Sequence, residues 1–199
     1  MAVKQHTGLV NPANLLTLVR VVLAPVFFGV YMATGDGPFL AHPLLWAVVL
    51  WIIFIVSELT DMFDGMAARK LGQTSDFGRL FDPFADTLTQ LSLFLCFVVD
   101  GILPPLLYLA VLYREFSMLF LRNLILRTGI TMGARMGGKI KTVTYIAAAA
   151  FALFISSLRR LSLFEPALIQ NLILACTVLF AVSVVLAFAS FADYAREYL

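Results

Sequence analysis

Residues 166–191 read PALIQNLILACTVLFAVSVVLAFASF, a run without a single Asp, Glu, Lys or Arg. About 20 consecutive apolar residues are enough to cross a bilayer as a helix. Further apolar runs of similar length precede this one, separated by segments that contain Gly and Pro. The sequence therefore predicts an all-α bundle of six transmembrane helices, at Leu15–Ala33, Pro43–Leu59, Leu80–Val99, Pro104–Leu126, Ile140–Leu158 and Pro166–Phe191.

The composition supports a membrane environment. Of the 199 residues, 61% are hydrophobic and only 13% are charged, whereas a soluble domain carries about a quarter of its residues as charges. The mean hydropathy is +0.95. Residues 1–199 are therefore predicted to form one membrane domain. Nucleic-acid binding is not expected, because the basic residues follow the ends of the apolar runs instead of forming a soluble basic domain.

The distribution of Lys and Arg predicts the orientation of the chain. Cytoplasmic loops of membrane proteins carry an excess of these residues. Most of them fall on the side that holds the two termini, the loop after the second span and the segment between the fourth and fifth spans, whereas the other side carries only Arg159 and Arg160. Both termini are therefore predicted to be cytoplasmic, in a bacterial-type inner or plasma membrane.

Four aspartates are concentrated in residues 61–86, which read DMFDGMAARKLGQTSDFGRLFDPFAD. Residues three or four apart in a helix share a face, so each of two antiparallel helices is expected to present a pair of carboxylates at the same membrane depth. Such a cluster is costly near lipid unless it is neutralised. Two divalent cations, which prefer oxygen ligands, would neutralise it and could bridge a pyrophosphate. The predicted ligands are Asp61, Asp64, Asp82 and Asp86.

The aspartates allow two other interpretations. Each carboxylate could cap a helix or pair with Arg69, Lys70 or Arg79 at the interface. Intramembrane acids also occur in cation-transport paths, so a cation transporter or a non-catalytic membrane scaffold is the alternative class of protein. A transporter predicts acids spread through the membrane depth and often an internal repeat. Here the acids lie at one end of two helices, which favours an enzyme.

The same segment resembles the signature of the CDP-alcohol phosphotransferase family, D-x-x-D-G-x-x-A-R-x8-G-x-x-x-D-x-x-x-D, at every specified position. The resemblance implies a six-helix membrane enzyme, commonly a homodimer, that binds two Mg²⁺ or Mn²⁺ ions. It also implies transfer of a phosphatidyl group from CDP-diacylglycerol to an alcohol with release of CMP. Asp86 would be the catalytic base that takes the proton from the acceptor hydroxyl. The implied CDP-binding residues are Asp61, Asp64, Gly65, Ala68, Arg69 and Gly78.

A basic segment follows the acidic one and suggests an acceptor that bears a phosphate group. It contains Arg114, Arg122, Lys139 and Lys141. Arg binds phosphate with a forked geometry and Lys supplies a point charge. Arg114, Lys139 and Lys141 flank the fourth and fifth spans and are interpreted as acceptor-binding residues, while for Arg122 binding and ordinary positive-inside topology are equally weighted. For Arg127 and Arg135, positive-inside topology is the favoured interpretation.

Three short patterns resemble the branch of the family whose acceptor is glycerol 3-phosphate: Asn14-x-x-Thr17-x-x-Arg20, the pair Arg114-Glu115, and G-K-x-K-T at 138–142. The resemblance implies that Thr17 and Arg20 line the acceptor cavity and that Glu115 orients an arginine. Thr87 stands where that branch commonly has Lys, and Tyr145 where it often has Gln. Other acceptors remain open: phosphatidylglycerol, inositol phosphate, serine, or diacylglycerol with CDP-choline or CDP-ethanolamine as donor.

Overall fold

A computed structural model of the chain describes residues 12–35, 41–71, 76–127, 136–162 and 164–198. In this part of the chain the secondary structure is helical, without strands. Most of the helices begin with Pro, which suits the first helical position because its missing N–H has no partner there. The helices are α1 (Pro12–Ala33), α2 (Pro43–Leu71), α3 (Asp76–Val99), α4 (Pro105–Arg127), α5 (Met136–Arg160) and α6 (Pro166–Tyr198).

Each predicted span overlaps one helix, and within the described residues five of the helices are long and apolar enough to cross a membrane. The exception is α4, which carries Arg114, Glu115 and Arg122 along its length. The side chains of Arg114 and Glu115 are buried inside the bundle. The prediction of an all-helical membrane protein is therefore confirmed: the described residues form six helices, and five of these are candidate membrane spans.

The helices run alternately up and down, so that α1, α3 and α5 begin at the same end of the bundle. Side-chain contacts show this arrangement: Thr17 of α1 meets Asp82 near the start of α3, and Tyr31 meets Asp100 just after the end of α3. The most extensive packing occurs between α5 and α6, between α1 and α3, and between α1 and α2. We call the end where α1, α3 and α5 begin the site end, and the opposite one the far end.

The centre of the bundle is built around α3 and α5. Within their apolar spans 44% of the residues are buried, against 28% for α1, α2 and α6. Phe94 of α3 packs edge to face against Tyr145 of α5 and Phe180 of α6, with ring centroids 5.4 and 4.7 Å away. Small residues such as Ala148 and Ala152 let α5 approach its neighbours closely. The remaining helices expose Leu, Val and Ile side chains outward, as a lipid-facing surface requires.

Polar contacts close the far end. The hydroxyl of Tyr31 lies 2.7 Å from both Asp100 Oδ2 and Ser156 Oγ. Arg160 donates to the carbonyl of Tyr31 and to the hydroxyl of Thr34, and its guanidinium lies over the Tyr31 ring. We call this group the far-end cluster; its members are Tyr31, Thr34, Asp100, Ser156, Arg159 and Arg160.

Candidate active site

The first turns of α3 carry the second half of the aspartate motif. Gly78, Asp82 and Asp86 follow one another at intervals of one turn, so they share a face of α3. Gly78 is buried. The side chain of Asp86 is 51% exposed, so its carboxylate remains accessible to a ligand.

Two side chains of α1 hold these carboxylates. Thr17 donates a hydrogen bond to Oδ1 of Asp82 at 2.8 Å. Arg20 forms a salt bridge with Oδ1 of Asp86. Both α1 side chains are almost completely buried, with 0% and 3% of their surface exposed. The extensive packing of α1 on α3 therefore fixes the orientation of both carboxylates.

A second charged group lies in the bundle where α4 and α5 meet. Glu115 Oε1 accepts hydrogen bonds from Arg114 at 2.8 Å and from Lys141 at 3.0 Å. Arg114 also donates from Nε to the carbonyl of Ala187 in α6 at 3.0 Å. One carboxylate between two cations leaves a local excess of positive charge. The predicted pairing of Glu115 with a neighbouring arginine is present in the structure.

A cavity of about 270 Å³ joins the two groups. Asp86 and Thr87 of α3 line it together with basic side chains of α4 and α5. All four predicted cations of the basic segment line it, so the structure brings them together around one space. The full lining is Pro83, Asp86, Thr87, Gln90, Arg114, Glu115, Met118, Leu119, Arg122, Gly138, Lys139, Lys141, Thr142 and Tyr194.

A smaller cavity of about 70 Å³ lies behind Asp86. It shares Asp86, Gln90, Lys141 and Thr142 with the larger cavity, so these four residues separate the two spaces. Its other lining residues come from α1, α2, α3 and α5: Arg20, Ser57, Glu58, Thr89, Leu93, Phe94, Ile146 and Ala149. Arg20 therefore borders the smaller cavity, and Thr17 lines neither of the two.

Several cavity residues were missed by the sequence analysis, although two carried a usable signal. Gln90 continues the one-turn spacing of Asp82 and Asp86 along α3. Glu58 precedes Asp61 by three residues on α2, so it lies on the same helix face. Thr89 and Ser57 gave no comparable signal, because hydroxyl side chains are common in helices and usually bond to their own backbone.

The first half of the motif lies at the end of α2, which continues to Leu71. For residues 61–71 the structure describes the helix but not the side chains. The predicted roles of Asp61, Asp64, Gly65, Ala68 and Arg69 therefore lie outside what is described. Among the described residues there is no cluster of three or more potential metal ligands.

The described half of the site fits a divalent cation. Asp82 and Asp86 offer hard carboxylate oxygens one turn apart, which are the donors that Mg²⁺ and Mn²⁺ prefer. The guanidinium of Arg20 already places a positive charge against Asp86. Because this charge would repel a bound cation, the fit rests on the carboxylate oxygens of Asp82 and Asp86 and not on Arg20.

Fold and site together define a class: a helical membrane protein in which carboxylates and buried cations border a common cavity. Comparisons with known proteins narrow this class. The model of the CDP-alcohol phosphatidyltransferase family matches residues 10–189, and the chain belongs to this family. It is thus a membrane transferase of phospholipid biosynthesis, and members of the family generally use a divalent metal.

Similar proteins come from several bacteria. The chain is 33% identical over 200 residues to a CDP-diacylglycerol–glycerol-3-phosphate 3-phosphatidyltransferase of Treponema pallidum, covering 94% of this chain and 88% of the relative. A probable phosphatidylglycerophosphate synthase of Mycobacterium tuberculosis is 37% identical, over 73% of this chain and 66% of the relative. A Bacillus subtilis protein with the same name as the Treponema relative is 34% identical, over 69% of this chain and 74% of the relative.

Proposed function

We propose that the chain transfers the phosphatidyl group of CDP-diacylglycerol to glycerol 3-phosphate, which yields phosphatidylglycerophosphate and CMP. The observation that carries this proposal is the larger cavity, which Asp86, Arg114 and Lys141 all line. A carboxylate that can accept a proton and cations that can bind a phosphate suit an acceptor with both a hydroxyl and a phosphate group. The names of the three relatives above support the same acceptor.

Both substrates would reach the site at the cytoplasmic face. In this arrangement α4 is the sixth span and turns its charged side chains inward, and both termini lie in the cytoplasm of a bacterial-type cell, at its inner membrane. The burial of Arg114 and Glu115 supports an inserted α4, since these charges meet protein partners instead of lipid. The contacts of Arg159 and Arg160 inside the far-end cluster leave the excess of basic residues at the site end.

The donor would bind where the two halves of the motif meet. We assign the CDP moiety to Asp61, Asp64, Gly65, Ala68, Arg69 and Gly78. The four motif aspartates would hold two Mg²⁺ or Mn²⁺ ions, which supply charge neutralisation for the pyrophosphate and for the departing CMP. The side chains of the protein do the rest: they bind the nucleotide, orient the acceptor and receive its proton.

Asp86 is placed to receive that proton. Its exposed carboxylate borders the larger cavity, which the cations also line. When the acceptor hydroxyl gives up its proton to Asp86, the oxygen attacks the β-phosphorus of CDP-diacylglycerol and the bond to CMP breaks. The salt bridge with Arg20 orients the carboxylate of Asp86.

The phosphate of the acceptor would bind to Arg114, Arg122, Lys139 and Lys141, all of which line the larger cavity. Arg114 and Lys141 are held in place by Glu115, so part of the cost of ordering them is already met before the acceptor binds. Thr17 and Arg20 would support acceptor binding indirectly, because they fix the carboxylates of Asp82 and Asp86. We further propose that the enzyme acts as a homodimer.

Release of CMP from CDP-diacylglycerol by the purified protein tests this proposal. Parallel reactions contain Mg²⁺ or Mn²⁺ and one acceptor each: glycerol 3-phosphate, inositol phosphate, serine or phosphatidylglycerol. We expect metal-dependent release with glycerol 3-phosphate only. Release with another acceptor would preserve the aspartate chemistry and overturn the assignment of the basic cavity, where the neutral Thr87 would then be the first residue to reconsider. A folded protein that releases no CMP with any acceptor, including diacylglycerol with CDP-choline, would reject the proposed reaction.

A further inference from the structure

Gln90 lies on α3 where the larger and the smaller cavity meet. On this helix the larger cavity is lined by residues 83, 86, 87 and 90, and the smaller one by residues 86, 89, 90, 93 and 94. Each set follows the spacing of one helix face, and the two faces share Asp86 and Gln90. Gln90 is partly exposed, whereas Thr89 and Leu91 beside it are buried. The accessible part of Gln90 therefore lies along the cavities.

The direction of α3 brings the amide of Gln90 toward the aspartates. This helix begins at the site end, and side chains in a helix lean toward its N-terminus, which directs Gln90 toward Asp86. Asp86 lies one turn, or about 6 Å, nearer the site end. One turn in the other direction, the buried ring of Phe94 packs against Tyr145 and Phe180 in a group that we call the aromatic layer. On this face of α3, Gln90 is the last polar residue before the aromatic layer.

A cation of the proposed acceptor site lies close to the level of Gln90. Lys141 of α5 also lines both cavities. Its Nζ lies 3.0 Å from Glu115 Oε1 and 4.8 Å from the centroid of the Tyr145 ring, which belongs to the aromatic layer. The ammonium group is thus held at the inner end of the cavities. An acceptor with its reacting hydroxyl at Asp86 and its phosphate at Lys141 would lie alongside Gln90.

The amide of Gln90 suits a neutral hydroxyl group. An amide both donates and accepts hydrogen bonds, as a hydroxyl does. Besides the hydroxyl that reacts and the phosphate, glycerol 3-phosphate carries a hydroxyl on its middle carbon, for which the residues assigned above provide no partner. We propose that Gln90 binds this middle hydroxyl and makes the enzyme select acceptors that carry it. This inference rests on the proposed function, because it takes glycerol 3-phosphate as the acceptor.

A comparison of two acceptors that differ only in the middle hydroxyl tests the role of Gln90. They are glycerol 3-phosphate and 3-hydroxypropyl phosphate, and kcat/KM is measured for each from the release of CMP. We expect wild-type protein to prefer glycerol 3-phosphate by about tenfold or more, because the analogue leaves the amide without its partner. Gln90→Met keeps the length of the side chain without its amide. It should reduce the preference to about twofold or less, mainly by raising KM for glycerol 3-phosphate.

Gln170→Met is the matched control for this substitution. Gln170 is exposed in the first turns of α6 and lines neither of the two cavities, so its replacement should leave the preference of the wild type unchanged. Gln90→Ala is a second variant, in which the same loss of preference is expected. Because both acceptors are measured on the same preparation, an unfolded fraction cancels from the ratio. A merely structural role of Gln90 would therefore not change the preference.

Two results would overturn the role of Gln90 alone. One is the same preference in wild type and Gln90→Met, and the other is a wild-type protein that uses both acceptors equally well. A loss of preference in Gln170→Met as large as that in Gln90→Met would also overturn it. A folded wild-type protein that uses neither acceptor would reject the proposed function together with this inference, so the two failures are distinguishable.

Discussion

The two ends of the bundle each contain an aspartate paired with an arginine, but the two pairs differ in which partner is accessible. At the site end, Arg20 is 3% exposed and Asp86 is 51% exposed. At the far end the order is reversed, since Asp100 is 20% exposed and Arg159 is 39% exposed. An ion pair whose acid faces a cavity can still bind a ligand, whereas an acid that points inward is committed to the protein.

The surroundings of the two pairs extend this difference. Asp100 accepts hydrogen bonds from Arg159 and lies against the hydroxyl of Tyr31, and Ser156 and Arg160 join the same network. Neither of the two cavities reaches this far-end cluster. Asp86, in contrast, borders both cavities. The same residue types thus stabilise the fold at one end and remain available for chemistry at the other.

The largest effect on the rate of CMP release is expected from replacing Asp86, whereas the same replacement at Asp100 should change that rate little. Asp86→Asn removes the proposed base and a proposed metal ligand, so we expect the rate of CMP release to fall by about 100-fold or more. Asp100→Asn is the matched control, and it should lower the melting temperature while leaving the rate within about twofold of wild type. A similar loss of rate in both variants would remove the distinction between the two ends.

Glu115 tests whether a buried carboxylate organises the cations of the site. Glu115→Gln leaves Arg114 and Lys141 buried without their counter-charge, so we expect destabilisation of about 3 kcal/mol and an increase of about tenfold in KM for the acceptor. Glu165→Gln, in the exposed connection before α6, is the control and should change neither quantity. Unchanged acceptor KM in a folded Glu115→Gln protein would mean that the cations do not need this carboxylate.

Thr17 in α1 and Thr34, which directly follows the end of α1, allow a comparison of the two ends of the bundle. Thr17 donates to the carboxylate of Asp82, whereas Thr34 donates to the carbonyl of Val30 and accepts from Arg160. A hydrogen bond to a charged group contributes about 1.5 kcal/mol or more, so Thr17→Val should lower kcat/KM by about tenfold. Thr34→Val should affect only the melting temperature. Equal kcat/KM in the two variants would argue against a role for Thr17 in orienting Asp82.

The smallest effect is expected from Tyr31→Phe in the far-end cluster. Its hydroxyl lies 2.7 Å from both Asp100 and Ser156. Side-chain hydrogen bonds inside membrane bundles contribute about 0.6 kcal/mol on average, so we expect the melting temperature to fall by about 1–3 °C. CMP release should not change. A loss of activity at constant stability would show that the far end communicates with the site.

The sequence was sufficient to predict the helices and the positions of some residues of the candidate site. Apolar runs identified every helix, because length and hydropathy are local properties. The spacing of Asp82 and Asp86 placed them on one face of α3, and the charges of the basic segment came together around one cavity as expected. The signal was weaker for α4, which carries Arg114, Glu115 and Arg122 and is not among the helices apolar enough to cross a membrane.

Other features depended on contacts between distant segments and could not be predicted. Arg20 was expected in the acceptor cavity, but the packing of α1 on α3 brings it to Asp86 and the smaller cavity. Arg159 and Arg160 were counted only as charges of the opposite side, although they bond to Asp100, Tyr31 and Thr34. Such pairings join residues far apart in sequence, and neither periodicity nor composition records them.

Titration of the purified protein with Mn²⁺, followed by electron paramagnetic resonance of the free ion, tests the central claim most directly. The account predicts that wild-type protein and Asp100→Asn bind two Mn²⁺ per chain with the same affinity, and that Asp86→Asn weakens this binding by about tenfold or more. A folded wild-type protein that binds no Mn²⁺, or binding that survives Asp86→Asn and disappears in Asp100→Asn, would contradict it.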